Sequence, residues 1–330
     1  MKASENVKRS PEPVRWFTDQ NSWLRRKATV NTAKNFIWTL FKVVLLCGLS
    51  FVILFPFLVK ISSAFMSKAD TYDTTVAFIP KHPTLDNIRF ILQQTPFFQA
   101  VFTTLLLSLM VAVCSTVMAA LVGYGLAKFK FRGAGLVMAL VIFTLLVPPA
   151  TVMVPMYIRF RYFDVFGLIQ AISGGTLKLT DTPFPLLFLS LTGLGFRGGL
   201  YIMVMRQVFR GIPTELSEAA SVDGLGTFRT FLRIMLPLAK SMLTVIFLFS
   251  FSWQWTDTFY ASTLYSKLKL LPNIVTLVGS FTNTNLGAGD YATDILVNTV
   301  AIMAVLPLLI LFLFTQRRFV QGIERSGIVG

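Results

Sequence analysis

Nearly uncharged apolar runs recur six times along the chain, at residues 36–59, 97–126, 133–158, 183–205, about 237–262 and 295–314. A hydrocarbon core about 30 Å thick is crossed by roughly 20 apolar residues in an α-helix, and every run is that long or longer. None alternates apolar and polar positions as a membrane barrel strand does. A helix also satisfies each backbone donor and acceptor without the water that a bilayer interior lacks. The pattern therefore predicts an all-α membrane protein with six transmembrane helices. An even number of spans puts both chain ends on one side.

Composition excludes the main soluble classes. Of 330 residues, 54% are hydrophobic and only 14% charged, against roughly a quarter charged in a soluble domain. The mean hydropathy is +0.68, and 32 Phe with 14% aromatics are the opposite of a disordered composition. Lys and Arg total 30 against 15 Asp and Glu, a net charge of +15 that in a soluble chain would suggest nucleic acid. The positions decide otherwise. Eighteen basic residues fall in four segments: the amino-terminal tail (Lys2, Lys8, Arg9, Arg15, Arg25, Arg26, Lys27, Lys34), the loop after the second run (Lys128, Lys130, Arg132), the stretch between the fourth and fifth runs (Arg206, Arg210, Arg229, Arg233) and the carboxyl tail (Arg317, Arg318, Arg325). The alternate loops hold nine. This excess predicts cytoplasmic termini, and the charge sets topology rather than marking a nucleic-acid partner. Cys47 and Cys114 lie within apolar runs and His82 is the single histidine, so neither a disulfide framework nor a metal site is expected.

Residues 1–35 form a polar, basic tail without the short apolar core and cleavage site of a secretory signal; the first run, 24 residues long, reads as an uncleaved span. The tail is expected to be flexible or to lie on the membrane, with Trp16, Phe17 and Trp23 among Arg15, Arg25, Arg26 and Lys27 set against anionic headgroups. No G-x-x-x-x-G-K-[ST] loop is present, so the chain does not bind ATP in the P-loop manner by itself. Gly193-Leu194-Gly195-Phe196-Arg197-Gly198 fits G-x-G-x-x-G, yet it lies in an apolar run with no preceding strand, where glycines kink or closely pack a membrane helix. Acidic residues do not cluster in the runs as a proton or Na⁺ relay requires, which weakens a stand-alone secondary transporter.

The stretch from Arg206 to Leu238 carries strong helix signals. Pro213 suits a first turn, Glu215 and Glu218 place negative charge at the positive amino-terminal end, and Gly224 can close the helix in a left-handed conformation. A helix of about three turns is expected. It is too polar to insert and is bracketed by two spans, so it lies along the membrane surface.

Glu218-Ala219-Ala220-Ser221-Val222-Asp223-Gly224, followed after nine residues by Ile234-Met235-Leu236-Pro237, resembles the EAA loop of bacterial ABC importer permeases, whose pattern is E-A-A-x-x-x-G, a nine-residue gap and I-x-L-P. The segments Pro80 to Asn87, Gly123 to Phe131, Val147-Pro148-Pro149, Val154-Pro155-Met156-Tyr157 and Gln316 to Gly322 are similar to the maltose-type carbohydrate-uptake branch, the last to its second, shorter permease subunit. The resemblance implies the type I ABC importer transmembrane fold over residues 36–330, with a coupling EAA loop at about 206–238. It also implies a bacterial inner-membrane location, a second permease subunit, two ATPase subunits that bind the ATP, an extracytoplasmic solute-binding protein, and a sugar or oligosaccharide as cargo. This chain itself would hold no cofactor and carry no catalytic residue. Residue by residue, Glu218 would meet polar or basic groups of the ATPase, Ala219 and Ala220 would allow close approach, Asp223 would shape the helix end and Gly224 would make the turn. Ile234, Leu236 and Pro237 would complete the loop, with Pro237 starting or kinking the fifth span. An importer for a non-sugar solute is the alternative.

Two features depart from the family pattern. Trp255-Thr256-Asp257-Thr258-Phe259 stands where many relatives have Trp-Asn-Asp-x-Phe, and residues 173–181 look like an enlarged external loop. Arg197 is the basic residue deepest within a run. A charge at membrane depth costs several kcal/mol and faces either a partner or a water-filled path, so Arg197 is expected to hold a structural contact or to line the substrate path.

Overall fold

The chain is described by a computed structural model that covers residues 16–76, 78–195, 197–280 and 293–327, with side chains over 34–71, 73–76, 78–195, 197–280 and 294–316. It divides into two compact units, Met1–Val59 and Lys60–Gly330. The first unit contains most of α1 (Trp16–Ala64), one continuous helix in which Lys34–Ala64 is long and apolar enough to cross a membrane. The expected tail is therefore helical from Trp16 onward. Residues 1–15, and the side chains of Trp16, Phe17 and Trp23, lie outside the described residues.

The second unit is almost wholly helical among the described residues; an isolated antiparallel bridge joins Phe163 and Leu177. Short α2 (Lys68–Tyr72) and amphipathic α3 (Asp86–Gln94) lead into α4 (Phe97–Lys128), the second unbroken span. The third apolar run is not one straight helix. It forms α5 (Ala134–Leu146) and α6 (Pro149–Arg161), bent by 100° at Val147-Pro148, because neither Pro148 nor Pro149 has an N–H to continue the helical ladder. After the turn of α7 (Leu168–Ser173), the fourth run is likewise broken, into α8 (Phe184–Thr192) and α9 (Gly198–Gly211).

That break is built by glycine. Gly193 has φ +74, which an L side chain rarely adopts, and a Cβ on Gly198 would sit 2.3 Å from the Gly193 carbonyl oxygen. The G-x-G-x-x-G match thus marks a helix break. The fifth run is also corrected. It is preceded by α11 (Thr227–Thr230), a π turn (Phe231–Met235) and α12 (Leu236–Leu238), then bends by 78° into α13 (Lys240–Trp255) and ends in α14 (Phe259–Leu264). Pro237 lies in the segment before the bend. After α15 (Leu271–Gly279), α16 (Thr293–Gly327) contains the third unbroken span, Asp294–Gln316. The six expected spans thus become three continuous helices, two bent pairs and one broken run.

Buried clusters hold the second unit together among the described residues. Phe251 and Trp255 of α13 pack with Leu271, Ile274 and Val278 of α15 and with Leu296 and Val300 of α16. The Trp255 indole N–H also donates to the Ala304 carbonyl at 3.0 Å, which satisfies the polar end of a buried ring. A second cluster joins Tyr124 of α4, Met205 and Phe209 of α9, and Phe231 and Met235 of the π turn. A third gathers Phe160, Leu186, Tyr260, Leu264 and Tyr265. Helices α4 and α9 approach closely at Gly123, where a Cβ would lie 2.7 Å from Met205 Cβ and 2.9 Å from the Arg206 nitrogen. Small residues serve close helix packing in this way when burial from water is not the driving force.

Candidate functional site

The stretch between α9 and α13 presents a short helix on a fixed base. Helix α10 (Glu215–Val222) has eight residues, a little over two turns rather than three. Pro213 precedes the capping residue Thr214 and lies outside the helix. Glu215 and Glu218 occupy the first turn, where carboxylates complement the helix dipole. At the other end the Leu225 N–H donates to the Ala220 carbonyl at 2.9 Å and the Gly224 N–H to the Ser221 carbonyl at 3.1 Å, the bond pair of a Schellman cap. Gly224 has φ +77, the left-handed turn expected from the sequence.

One face of α10 is turned inward and the other is open. Ala220 is only 2% exposed, whereas Val222 is 88% and Phe228, just beyond the helix, 65% exposed. Glu218, Ala219, Asp223, Gly224 and Pro237 are exposed, and Ile234 and Leu236 are half-buried. Leu216 and Leu232 add further exposed apolar surface. The sequence reading passed over Val222, Phe228 and Leu232, although apolar residues set among helix-cap signals were there to be noticed.

The base of this loop is tied to the helix bundle. Lys128, at the end of α4, donates from Nζ to the Ile212 carbonyl at 2.6 Å, just ahead of α10. Behind the loop, the Phe231 ring lies 4.9 Å from that of Tyr124, and Tyr124 meets Phe209 edge-on at 5.5 Å. A load on α10 therefore bears on α4 and α9 through covalent connection, a hydrogen bond and packed rings.

Arg197 lies elsewhere, in a cavity of about 260 Å³ lined by residues of α4, α8, α9 and α13 and of the turn into α14. Polar groups converge there: Ser115, Ser190, Tyr201, Ser250, Gln254, Thr256 and Asp257, beside the aromatic face of Trp253. The Arg197 guanidinium sits over the Trp253 ring. Asp257 Oδ2 accepts from the Tyr260 N–H at 3.0 Å, at the start of α14. Of these lining residues the sequence had singled out only Arg197 and the 255–259 segment. The missed signal is a polar stripe in an apolar run: Ser250, Trp253, Gln254 and Asp257 follow the i, i+3, i+4, i+7 spacing of one helical face.

The enlarged loop after α6 is ordered by a separate anchor. The Phe163 N–H donates to the Leu177 carbonyl at 2.9 Å and the return bond measures 3.0 Å. Asp181 Oδ1 accepts from the Lys267 N–H at 2.7 Å, and Oδ2 lies 3.3 Å from Lys178 Nζ. Partial burial raises the Asp181 carboxyl, but the Lys267 N–H and the Lys178 ammonium outweigh it and hold it below its ordinary value.

Comparison with known proteins gives the class of the chain. The family described as binding-protein-dependent transport system inner membrane component matches residues 115–325. The chain belongs to this family. As such a component it is similar to the protein LplC of Bacillus subtilis (strain 168), 24% identical over 311 residues that cover 91% of this chain and 97% of that one. It is 29% identical to the maltodextrin transport system permease protein MdxG of the same organism, over 86% of this chain and 93% of that one. A solved bacterial ABC transporter involved in import of the acidic polysaccharide alginate shares its fold, with a TM-score of 0.69 at 22% identity, over 86% of this chain and 96% of that one.

Proposed function

We propose that this transport component is a permease subunit of a bacterial sugar or oligosaccharide importer, driven by cytoplasmic ATPase subunits that seat on α10. It pairs with a second permease subunit, receives its cargo from an extracytoplasmic binding protein, and has both termini in the cytoplasm. The single observation that carries the coupling role is α10 itself. A Schellman-capped helix with Glu218, Ala219, Val222 and Asp223 exposed sits between Ile212 and Phe231, both of which pack in the cluster of Tyr124 and Phe209. Motion of an ATPase groove around that helix would tilt α9 and α13, the switching device of alternating access. Glu218 and Asp223 supply charge to the groove, Ala219 allows close approach, and Gly224, Ile234, Leu236 and Pro237 fix the loop's path. Ala220, buried on the inward side of α10, takes no direct part in docking.

The cargo is proposed from the cavity: serine and threonine hydroxyls, a glutamine amide and an indole face suit a polyhydroxylated ring with one apolar side. The maltodextrin permease among the relatives supports the same class. The test is to purify the chain with its associated subunits, reconstitute the complex with its binding protein, and measure ATP-dependent uptake across a panel of sugars and non-sugar solutes. Uptake of a saccharide is expected. ATP-dependent uptake confined to a non-sugar solute would replace the cargo assignment, and absence of any associated ATPase would overturn the coupling role.

A further inference from the structure

We infer that the cavity beside Trp253 takes a sugar bearing an anionic oxygen group, a carboxylate or a phosphate, and that Arg197 binds that group. This rests on the sugar-importer reading above and names the substrate class at the same cavity.

Arg197 is placed at some conformational cost. Its φ is +63, in the left-handed region that ordinary side chains avoid, and it stands among Gly193, Gly195, Gly198 and Gly199, which build the break between α8 and α9. A glycine would fit that backbone more easily. The side chain then crosses to α13, where its guanidinium lies on the Trp253 ring and lines the cavity. Backbone strain at a position that aims a charged group into a cavity is the kind found at ligand-binding sites.

No acidic side chain among the described residues pairs with Arg197. Among the described residues it makes no ion pair and no hydrogen bond, so its guanidinium N–H donors are unspent. The other charged side chain lining the cavity, Asp257, is occupied at the start of α14 with the Tyr260 N–H, and the remaining titratable groups there, Tyr201 and Tyr260, are phenols. A guanidinium in an apolar run is costly unless it meets an anion. The ring face of Trp253 attracts it electrostatically but accepts no hydrogen bond from its edge. A carboxylate or phosphate does, through two parallel N–H···O contacts that a planar fork makes and an ammonium does not. The hydroxyls of Ser115, Ser190, Ser250 and Thr256 and the Gln254 amide line the same space, so one sugar residue can present its hydroxyls to them and its anionic group to Arg197.

The experiment uses the complete complex with its binding protein in proteoliposomes. Its probes are a uronate trisaccharide, the same trisaccharide after carboxyl reduction, and a hexose phosphate. Wild type is expected to import at least one anionic sugar in preference to the reduced trisaccharide, and which one identifies the group. In Arg197→Gln that preference should fall roughly tenfold or more, and Arg197→Lys should fall between, keeping the charge without the fork. Import of the reduced trisaccharide but of neither anionic sugar by wild type would overturn this inference alone, whatever the variants do. Equal loss of all sugars in Arg197→Gln, or no change in preference, would also overturn it. Import by wild type of no sugar at all would overturn the sugar-importer reading beneath it.

Discussion

At the scale of single residues, two positions show how little slack the second unit has. Gly123 meets the α9 backbone, with a built Cβ 2.9 Å from the Arg206 nitrogen, and backbone cannot move aside as a flexible side chain can. Gly123→Ala should therefore destabilise by about 1–3 kcal/mol, the usual range for overpacking, and Gly123→Val by more. A lower thermal unfolding midpoint of the purified complex would show it; an unchanged midpoint would mean the two helices do not touch there. Asp181 tests the enlarged loop after α6. Asp181→Ala removes the acceptor of the Lys267 N–H and the partner of Lys178, and should loosen residues 175–182 by about 1–3 kcal/mol. Asp181→Asn should do less, because Asn keeps an acceptor and tolerates the left-handed backbone that Asp181 adopts at φ +63. Hydrogen exchange over the loop reads both. The pH dependence follows from the lowered carboxyl. A depressed carboxylate stabilises fully above its unfolded value, near about 4, and loses that contribution as the pH falls through the folded value. Loop protection, corrected for intrinsic exchange, should thus hold across neutral and mildly acidic pH and fail only below about 4.

At the scale of elements, α10 is the most informative piece. A Cβ at Gly224 meets nothing within 4 Å, so Gly224→Val strains only the backbone, by about 1 kcal/mol or more. The bundle should assemble while α10 is misdirected, and transport and substrate-stimulated ATPase activity should fall together; full coupling at normal expression would count against the docking role. The sequence made α10 legible because caps and charges act locally: Glu215 and Glu218 at one end and Gly224 at the other sit where their chemistry demands. The breaks were less legible. Runs 133–158 and 183–205 are each long enough for one span, and whether Pro148 or Gly193 kinks a helix or splits it depends on packing partners absent from a local pattern. The cavity was nearly hidden for the same reason. Ser115, Ser190 and Trp253 lie on α4, α8 and α13, and only the folded bundle brings them together, whereas Arg197 stood out alone because an isolated charge in an apolar run is anomalous by itself.

At the scale of the whole molecule, α4, α9 and α13 line the cavity, and α9 and α13 flank the stretch that carries α10. The orientation proposed from the basic residues is checked by cysteine labels: a label at Ser326 should react only from the cytoplasm and one at Thr74 only from outside. Reaction at Ser326 in intact cells would invert the proposed topology, and with it the side from which an ATPase can approach. The central claim is that an ATPase subunit seats on α10. Its most direct measurement places a photo-crosslinking residue at Val222, 88% exposed on α10, and at Ile172, 87% exposed on α7, in a complex active in ATP-driven transport. An adduct with the ATPase subunit is expected from Val222 and none from Ile172. No ATPase adduct from Val222, or an equal yield from Ile172, would contradict the account.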